Sequence, residues 1–533
     1  MFFIQAISST PRRISFIQKF PFSVLHHHPS MEQTLLCSLA SVLFLLVAIK
    51  FLLQARKHKN LPPSPFALPI LGHLHLLKEP LHRTLFTLSQ KHGPIFSLRF
   101  GSRLAVVITS PSAVEECFNK NDITLANRPR LIMGKYVGYN YTILALASYG
   151  DHWRNLRRLA TLEILSSNNL SMSSSIRRDE INSLIRRLYR VSVNGFAKVE
   201  LKTLFAELTF NIIMRIVAGK RYYGDEVRGS EEARGFRAMI EELFELAVSS
   251  YPGDFLPLLS WVDYNGYIKK VKLVAKNADA FTQGLIDEHR RNKGNLELKN
   301  TMISHLLTLQ KSQPEYYTDE IIKGLVLVML LAGTDTTAVT LEWAMSNLLN
   351  HPRILEKARA ELDAQIGQEQ WVEETDLSKL HYLQNIISET LRLYPAAPLL
   401  VPHLASDYCT VGGYDLPPET IVFVNAWAIQ RNPELWEDST SFKPERFEGT
   451  EGTTHNKLMP FGLGRRACPG VGLAHRVVGV ALGSLIQCFE WEKVSDKEID
   501  MTEGTGLTMP KVEPLEAMCK RRHIINKQLV EVN

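Results

Sequence analysis

One stretch restricts the fold more than any other. Residues 318–350, TDEIIKGLVLVMLLAGTDTTAVTLEWAMSNLLN, read as a long helix. Thr318 is a good N-cap, Asp319 and Glu320 put negative charge in the first turn, and Pro352 follows the end. The middle is apolar all the way round, so every side of it must be covered. It cannot cross a bilayer, because Lys323 and Asp335 enclose only eleven residues where a span needs about twenty. Such a helix has to run through the centre of a large core.

The chain can build that core. Its 533 residues are 45% hydrophobic and 22% charged, with no internal repeat and no low-complexity tract, as expected of a globular protein. The net charge of +6, from 61 basic and 55 acidic residues, is too mild to indicate nucleic-acid binding. Six cysteines (Cys37, Cys117, Cys409, Cys468, Cys488, Cys519) are scattered without CxxC pairs, which excludes a disulfide framework or zinc ribbon and fits a reducing compartment.

Three polar features sit where burial makes them expensive. The first is the centre of the long helix, Ala332-Gly333-Thr334-Asp335-Thr336-Thr337. A helix-interior glycine costs about 1 kcal/mol against alanine, and a carboxylate in an apolar segment must be satisfied or used. Either the threonine hydroxyls bond back to the preceding turn and kink the helix, or the helix opens for a small ligand, with an acid and an alcohol placed to pass protons. The second is Glu389 and Arg392 in ISETLRLYPAAP, three apart on one face. On a surface such a pair is worth about 0.2–0.5 kcal/mol. The surrounding Ile386, Ile387, Leu391, Leu393 and Tyr394 point to burial instead, which calls for a third partner, and FKPERFEG offers Arg446. The third is PFGLGRRACPG, residues 460–470, where one thiol sits in a rigid, cationic loop. It is either a metal-binding thiolate or a turn that happens to contain a cysteine.

The front end reads differently. Residues 35–53, LLCSLASVLFLLVAIKFLL, would form a helix about 28 Å long, close to the hydrocarbon thickness. Lys50 can snorkel, and Arg56, Lys57 and Lys59 place the bulk of the chain in the cytosol. A cleaved signal peptide is the alternative, but no small-residue cleavage site follows. Residues 1–30 hold Arg12, Arg13 and Lys19 and no acid, the composition of a transit extension, and Met31 begins a clean anchor sequence. The expected organisation is an extension at 1–30, an anchor at 35–53, a basic and proline-rich hinge at 54–78 acting as a stiff spacer, and one large domain from 79 to 533. That domain is helix-rich, with helices over 275–291 and 354–366. Short strands are expected at IFSLRF, LAVVITS and TIVFVNAWAI.

Together these segments resemble the cytochrome P450 family. Phe461, Gly464, Arg466, Cys468 and Gly470 match its haem-binding signature F-x-x-G-x-R-x-C-x-G. Glu389 and Arg392 match its ExxR pair, residues 444–447 its PERF element, residues 332–337 its oxygen-activation motif, and Trp153 with Arg157 its W-x-x-x-R. The front end is similar to a microsomal anchor and hinge, with Ser64 where a glycine is usual. The likeness runs from about residue 31 to the end, with the motifs in order.

The resemblance implies a mostly α fold with small β-sheets, a single large P450 fold behind an N-terminal transmembrane helix. Haem b would be held by a Cys468 thiolate, whose pKa the glycine-rich turn and the following helix N-terminus should lower. Arg466, Arg157, Trp153 and His403 would meet the propionates, while Phe461, Gly464 and Gly470 lie along the macrocycle. Asp335 and Thr336 would relay protons, and Glu389, Arg392 and Arg446 would be structural. The implied reaction is monooxygenation: O2 and two electrons, one oxygen atom into substrate and one into water. No G-x-G-x-x-G follows a strand, so the electrons would come from NADPH through a membrane-bound NADPH-cytochrome P450 reductase docking on the cysteine side. The implied site is the endoplasmic reticulum membrane, with the catalytic domain facing the cytosol.

The cysteine loop, the long helix and RLYPAAPLLVPH look most like a plant group containing isoflavone 2'- and 3'-hydroxylases and relatives that close methylenedioxy bridges. Residues 396–401 and 125–148, both apolar, are expected to line a pocket for a small aromatic substrate such as an isoflavonoid or other phenolic. Two rival readings are a non-catalytic membrane haem protein, which has no use for the Asp335–Thr336 break, and a haem-thiolate isomerase acting on hydroperoxides without NADPH.

Overall fold

Helices with no polar face must be covered on every side, and that requirement organises the molecule. The computed structural model describes residues 60–249, 251–292, 298, 300–449 and 457–522, with isolated positions 35, 38, 41 and 42. The anchor expected at 35–53 and the extension at 1–30 therefore lie almost wholly outside the described residues.

The elements that position the site, in chain order, are as follows. Helix α1 (Leu81–His92) precedes strands β1 (Ile95–Phe100) and β2 (Arg103–Ile108), and α2 (Ile132–Tyr136) and α3 (Asp151–Arg158) come next. Then follow α4 (Ser174–Val191), β3 (Ala197–Glu200), α5 (Leu201–Ala218), α6 (Tyr267–Arg291), α7 (Asp319–Gly333), α8 (Asp335–Asn350), α9 (Pro352–Gln365) and α10 (His381–Leu393). Strands β4 (His403–Leu404), β5 (Cys409–Val411), β6 (Tyr414–Leu416) and β7 (Ile421–Val424) lead to α11 (Val471–Cys488), β8 (Phe489–Lys493) and β9 (Glu516–Arg521). The architecture is the mostly helical one expected, with small sheets.

The long central helix differs from its sequence reading in one respect. It is two helices, α7 and α8, meeting at Thr334, whose φ of −96° and ψ of −70° leave the regular helix. The Thr334 hydroxyl donates to the Leu330 carbonyl at 2.7 Å instead. Across 319–350 and in α11, 67% and 72% of the most apolar windows are buried inside the protein, so these are core helices. In α8 every residue from Thr337 to Leu349 is buried.

The four-stranded sheet runs β1-β2-β7-β4, with β2 parallel to β7 and the other pairs antiparallel. Ala105 faces Ile421 and His403 faces Val422 across the ladder, which fixes His403 at the sheet's inner edge. A bridge between Asn127 and Leu404 draws the 125–128 segment alongside. A second sheet has the order β3-β9-β8.

The proline-rich stretch expected to act as a spacer is docked on the body. The Pro62 and Pro63 carbonyls accept hydrogen bonds from the hydroxyl and N–H of Ser97, both at 2.8 Å. Asn60 holds the β5–β6 hairpin through Gly413 and Asp415. Proline supplies no donor, but its carbonyl still accepts, and β1 presents the groups that need an acceptor.

Candidate active site

An internal cavity of about 330 Å³ lies between α7, the first turns of α8, the end of α10 and the cysteine loop. One wall is Leu325, Val328, Met329 and Ala332 of α7, continued by Thr336, Thr337 and Thr340 of α8. Ala332 is exposed although the helix around it is buried, because that face looks into the cavity. Of the two segments expected as lining, 396–401 contributes Ala396, Ala397, Leu400 and Val401. Segment 125–148 contributes Arg128, Leu144 and Ala145.

Cys468 opens into the cavity from the loop before α11. The loop is tied at its base, with Cys468 N–H donating to the Phe461 carbonyl at 2.8 Å, and Phe461 lines the cavity with its ring 5.4 Å from that of His475. Gly470, the N-cap of α11, donates its N–H to the Cys468 sulfur at 3.3 Å. One expectation is corrected here. Gly464 does not face the cavity: its φ is +68°, and a Cβ there would sit 2.5 Å from Asp122 Oδ1. The Gly470 N–H lowers the thiol's pKa as expected, and so does the charge of Arg157, while desolvation raises it and sets the net direction.

The opposite polarity dominates one end of the cavity. Arg128, Arg157 and Arg466 all line it, together with Trp153 and His403. Their guanidinium groups reach backbone carbonyls. Arg128 donates to Val401 and Pro402 at 2.7 and 2.8 Å, Arg157 to Ala467 at 2.6 Å, and Arg466 to Ala126 at 2.6 Å and also to Ala147. Among the described residues none of the three is paired with a carboxylate. Burial and the nearby Arg466 bring Arg128 down to about 9, and burial and Arg157 bring Arg466 down to about 10. Burial, then the Arg128 charge, drives the His403 pKa far below its usual value, so the imidazole is neutral. Its Nδ1 lies 2.7 Å from the Leu125 carbonyl. The Arg466 guanidinium stacks 4.4 Å over the Trp153 ring.

At the helix break, Asp335 and Thr336 diverge. Thr336 faces the cavity, its hydroxyl donating to the Ala332 carbonyl at 2.8 Å. Asp335 points behind the wall and accepts from the Thr508 hydroxyl at 2.6 Å, and burial raises its pKa. The hydroxyls bond back to the preceding turn as expected, and the helix borders a cavity, but of the acid and the alcohol only the alcohol faces it.

Below the site, Glu389 and Arg392 are fully buried, joined at 2.6 Å. Arg446 completes the cluster at 2.9 Å from Glu389, and the Lys443 N–H donates to the same oxygen at 2.9 Å. Arg392 also donates to the Gln430 and Ser439 carbonyls, both at 2.7 Å.

Comparison with known proteins agrees with this arrangement. The cytochrome P450 family model matches residues 62–515. The chain belongs to the cytochrome P450 family. It is 58% identical over 503 residues to cytochrome P450 81Q32 of Catharanthus roseus, covering 94% of this chain and all of that one. It is 57% identical to an isoflavone 3'-hydroxylase of Medicago truncatula (92% and 98% covered), and 54% to a (+)-piperitol/(+)-sesamin synthase of Sesamum radiatum (94% and 100%). In fold it is similar to a zebrafish cytochrome P450 solved with abiraterone, at a TM-score of 0.71 and 23% identity, covering 84% of this chain and 100% of that one.

As a cytochrome P450 the protein is a haem-dependent monooxygenase, served by O2 and a redox partner. The residues present fit haem. Among the described residues no three metal-ligating side chains converge, so a metal at Cys468 must bring its other ligands with it, as a macrocycle does. The unpaired guanidinium groups suit carboxylates that arrive with the cofactor. The buried Trp153 Nε1 and Arg128 Nε, both without a partner among the described residues, are donors still to be used. Arg128 was missed in the sequence. It sits in a loop, ANRPR, with no periodicity, and its only signal is a pair of arginines flanking a proline in an apolar neighbourhood.

Proposed function

We propose that this cytochrome P450 hydroxylates a small aromatic specialised metabolite of the isoflavonoid or related phenolic class. Cys468 is the iron ligand, and an NADPH-cytochrome P450 reductase supplies the electrons. The balance is substrate, O2, two electrons and two protons to hydroxylated product and water. The observation that carries the reading is a lone thiol opening into an otherwise apolar cavity whose one charged end is cationic and acid-free. The isoflavone 3'-hydroxylase relative supports the substrate class. The sesame relative favours a second reading, closure of a methylenedioxy bridge at the same site.

Haem, when bound, supplies the oxygen chemistry that no side chain can, and a thiolate ligand favours O–O cleavage. The chain does the rest. The Gly470 N–H holds the sulfur in place. Arg128, Arg157, Arg466 and Trp153 would hold the propionates, while neutral His403 uses its one N–H on the Leu125 carbonyl and fixes the wall beside them. Phe461 and Gly470, which line the cavity, would border the haem. Thr336 presents a hydroxyl to the reacting side of the cavity, and Asp335, held behind the wall by Thr508, is the adjacent acid that would supply protons to it. The apolar wall from Leu325 to Ala332 excludes water and takes a flat ring.

The protein is anchored by residues 35–53 in the endoplasmic reticulum membrane, with the hinge at 54–78 leading to a cytosolic catalytic domain over 79–533. Exposed apolar side chains support a membrane-facing edge. Phe66 is 82% exposed and Trp261 89%, and the β1–β2 turn joins their segments, with the Gly101 N–H donating to the Leu71 carbonyl and the Ser102 N–H to the Phe255 carbonyl. The test of the central reading is spectroscopic. The reduced, carbon-monoxide-treated protein should show the red-shifted band of sulfur ligation, and Cys468→His should lose it while still binding haem. A wild-type spectrum like that of a histidine-ligated haem would refute the assignment. Turnover of an isoflavone panel with reductase and NADPH tests the substrate class.

A further inference from the structure

Three consecutive residues, three positions ahead of the cavity-lining Leu144, adopt a conformation that side chains normally avoid. Tyr139, Asn140 and Tyr141 have φ of 46°, 53° and 66°. One such residue is uncommon, and for bulky side chains it is an outlier that persists only when its surroundings enforce it. The turn is stitched to α2, with the Asn140 N–H bonded to the Lys135 carbonyl and that of Tyr141 to Gly134, both at 3.0 Å. Its outer side is fixed by charge. The Tyr139 hydroxyl donates to Asp279 Oδ1 of α6 at 2.9 Å, and Lys323 of α7 donates to the same oxygen, its ammonium 5.6 Å from the Tyr139 ring centre. Immediately beyond the turn, Ile143 packs so closely on α7 that a Cβ on Gly324 would lie 2.9 Å from its methyl. Leu144 and Leu325, the next residues on each side, line the cavity.

We propose that Tyr139, Asp279 and Lys323 form a bolt that holds the 139–141 turn down as the roof of the cavity, and so selects by size which ligands reach it. The bolt is placed to be drawn from outside, since Asp279 is 43% exposed, while Ile143, which seats the end of the turn on α7, is buried. These are positioning residues, because none of the three touches the cavity. The inference rests on the haem-thiolate reading only for its optical readout.

The test uses the full haem-loaded chain and two probes that ligate iron and shift the haem absorption: imidazole and a triphenylmethyl-substituted imidazole. Losing one charged hydrogen bond should accelerate binding of the bulky probe about tenfold in Asp279→Asn, with imidazole changed by less than about twofold. Tyr139→Phe should act in the same direction, and Asp279→Glu should restore the wild-type rates. Equal acceleration of both probes, or of neither, overturns the bolt. Amide hydrogen exchange gives a second measurement that needs no haem. Residues 137–143 should exchange about tenfold faster in Asp279→Asn while α10 is unchanged, and unaltered exchange there overturns the proposal as well. A wild-type protein in which neither azole shifts the spectrum would mean that the cavity does not present haem iron to ligands, which counts against the haem reading, and the exchange result would then decide the bolt alone.

Discussion

Two kinds of buried charge cluster stand within one core, and they differ in whether an acid is at the centre. Around Glu389, two arginines and a backbone N–H converge on one carboxylate. Around Glu503, His82 lies at 2.6 Å, Arg83 and the Trp427 indole N–H at 2.7 Å, and Arg431 at 3.6 Å. At the cavity, Arg128, Arg157 and Arg466 share no acid. An acid-centred cluster is complete when the chain folds, whereas an acid-free one lowers its own pKa values and is completed by an anionic partner. The first kind belongs to the fold and the second to the ligand.

The largest expected effect breaks the first kind. Glu389→Ala leaves Arg392 buried without its acid, which costs on the order of 3–5 kcal/mol. The expected outcome is loss of soluble, haem-loaded protein. A variant with wild-type yield and haem content would show that the cluster is dispensable.

The Glu503 cluster gives a pH-dependent version of the same test. Burial pushes this carboxyl up, but the bonds from His82 and Arg83 and the charge of Arg431 outweigh it and hold the pKa at about 2, against an ordinary 4.5. A carboxylate depressed in the fold contributes stability that is complete above its unfolded pKa and is lost as pH falls through the folded one, here on the order of 3 kcal/mol between pH 5 and 2. Unfolding of wild type and Glu503→Gln should therefore differ most at pH 7 and converge as pH falls towards 2. Parallel curves across that window would contradict the assignment.

The two kinds of cluster were not equally legible. Glu389 and Arg392 declare themselves by spacing and apolar neighbours, and Arg446 by a short segment with nothing else to bind. Glu503, His82 and Arg431 lie far apart in the chain, so only the fold brings them together. The same is true of Arg128. Local pattern gave the helices, the strands and the thiol loop. It could not tell that the Asp335 side chain turns away from the cavity, because a residue at a helix break has no periodic face. The Cys468 thiol is a similar case: the glycine N–H that lowers its pKa is visible in sequence, but the desolvation that opposes it is not.

A smaller effect sharpens the acid-free case. Arg128→Met removes one of three mutually repelling cations, so the haem-free protein should be no less stable than wild type. Loss of one charge-assisted bond to the cofactor should speed haem transfer to an excess of apo-globin about tenfold. Equal haem retention would mean that Arg128 serves only the Val401 and Pro402 carbonyls.

The smallest effect separates the two hydroxyls at the helix break. Thr334 and Thr336 both donate to the carbonyl four residues earlier, at 2.7 and 2.8 Å, but Thr334 is fully buried and Thr336 faces the cavity. If internal satisfaction were all that mattered, alanine at either position would cost about 1 kcal/mol of stability and nothing else. A hydroxyl that steers a proton on the reacting side gives a different result. Thr336→Ala should keep haem and melt within a few degrees of wild type, but release severalfold more hydrogen peroxide per NADPH consumed. Thr334→Ala should lose stability and stay coupled. Peroxide yield and thermal midpoint measured on the pair decide it, and equal coupling in both variants would leave Thr336 a helix-kinking residue with no part in the chemistry.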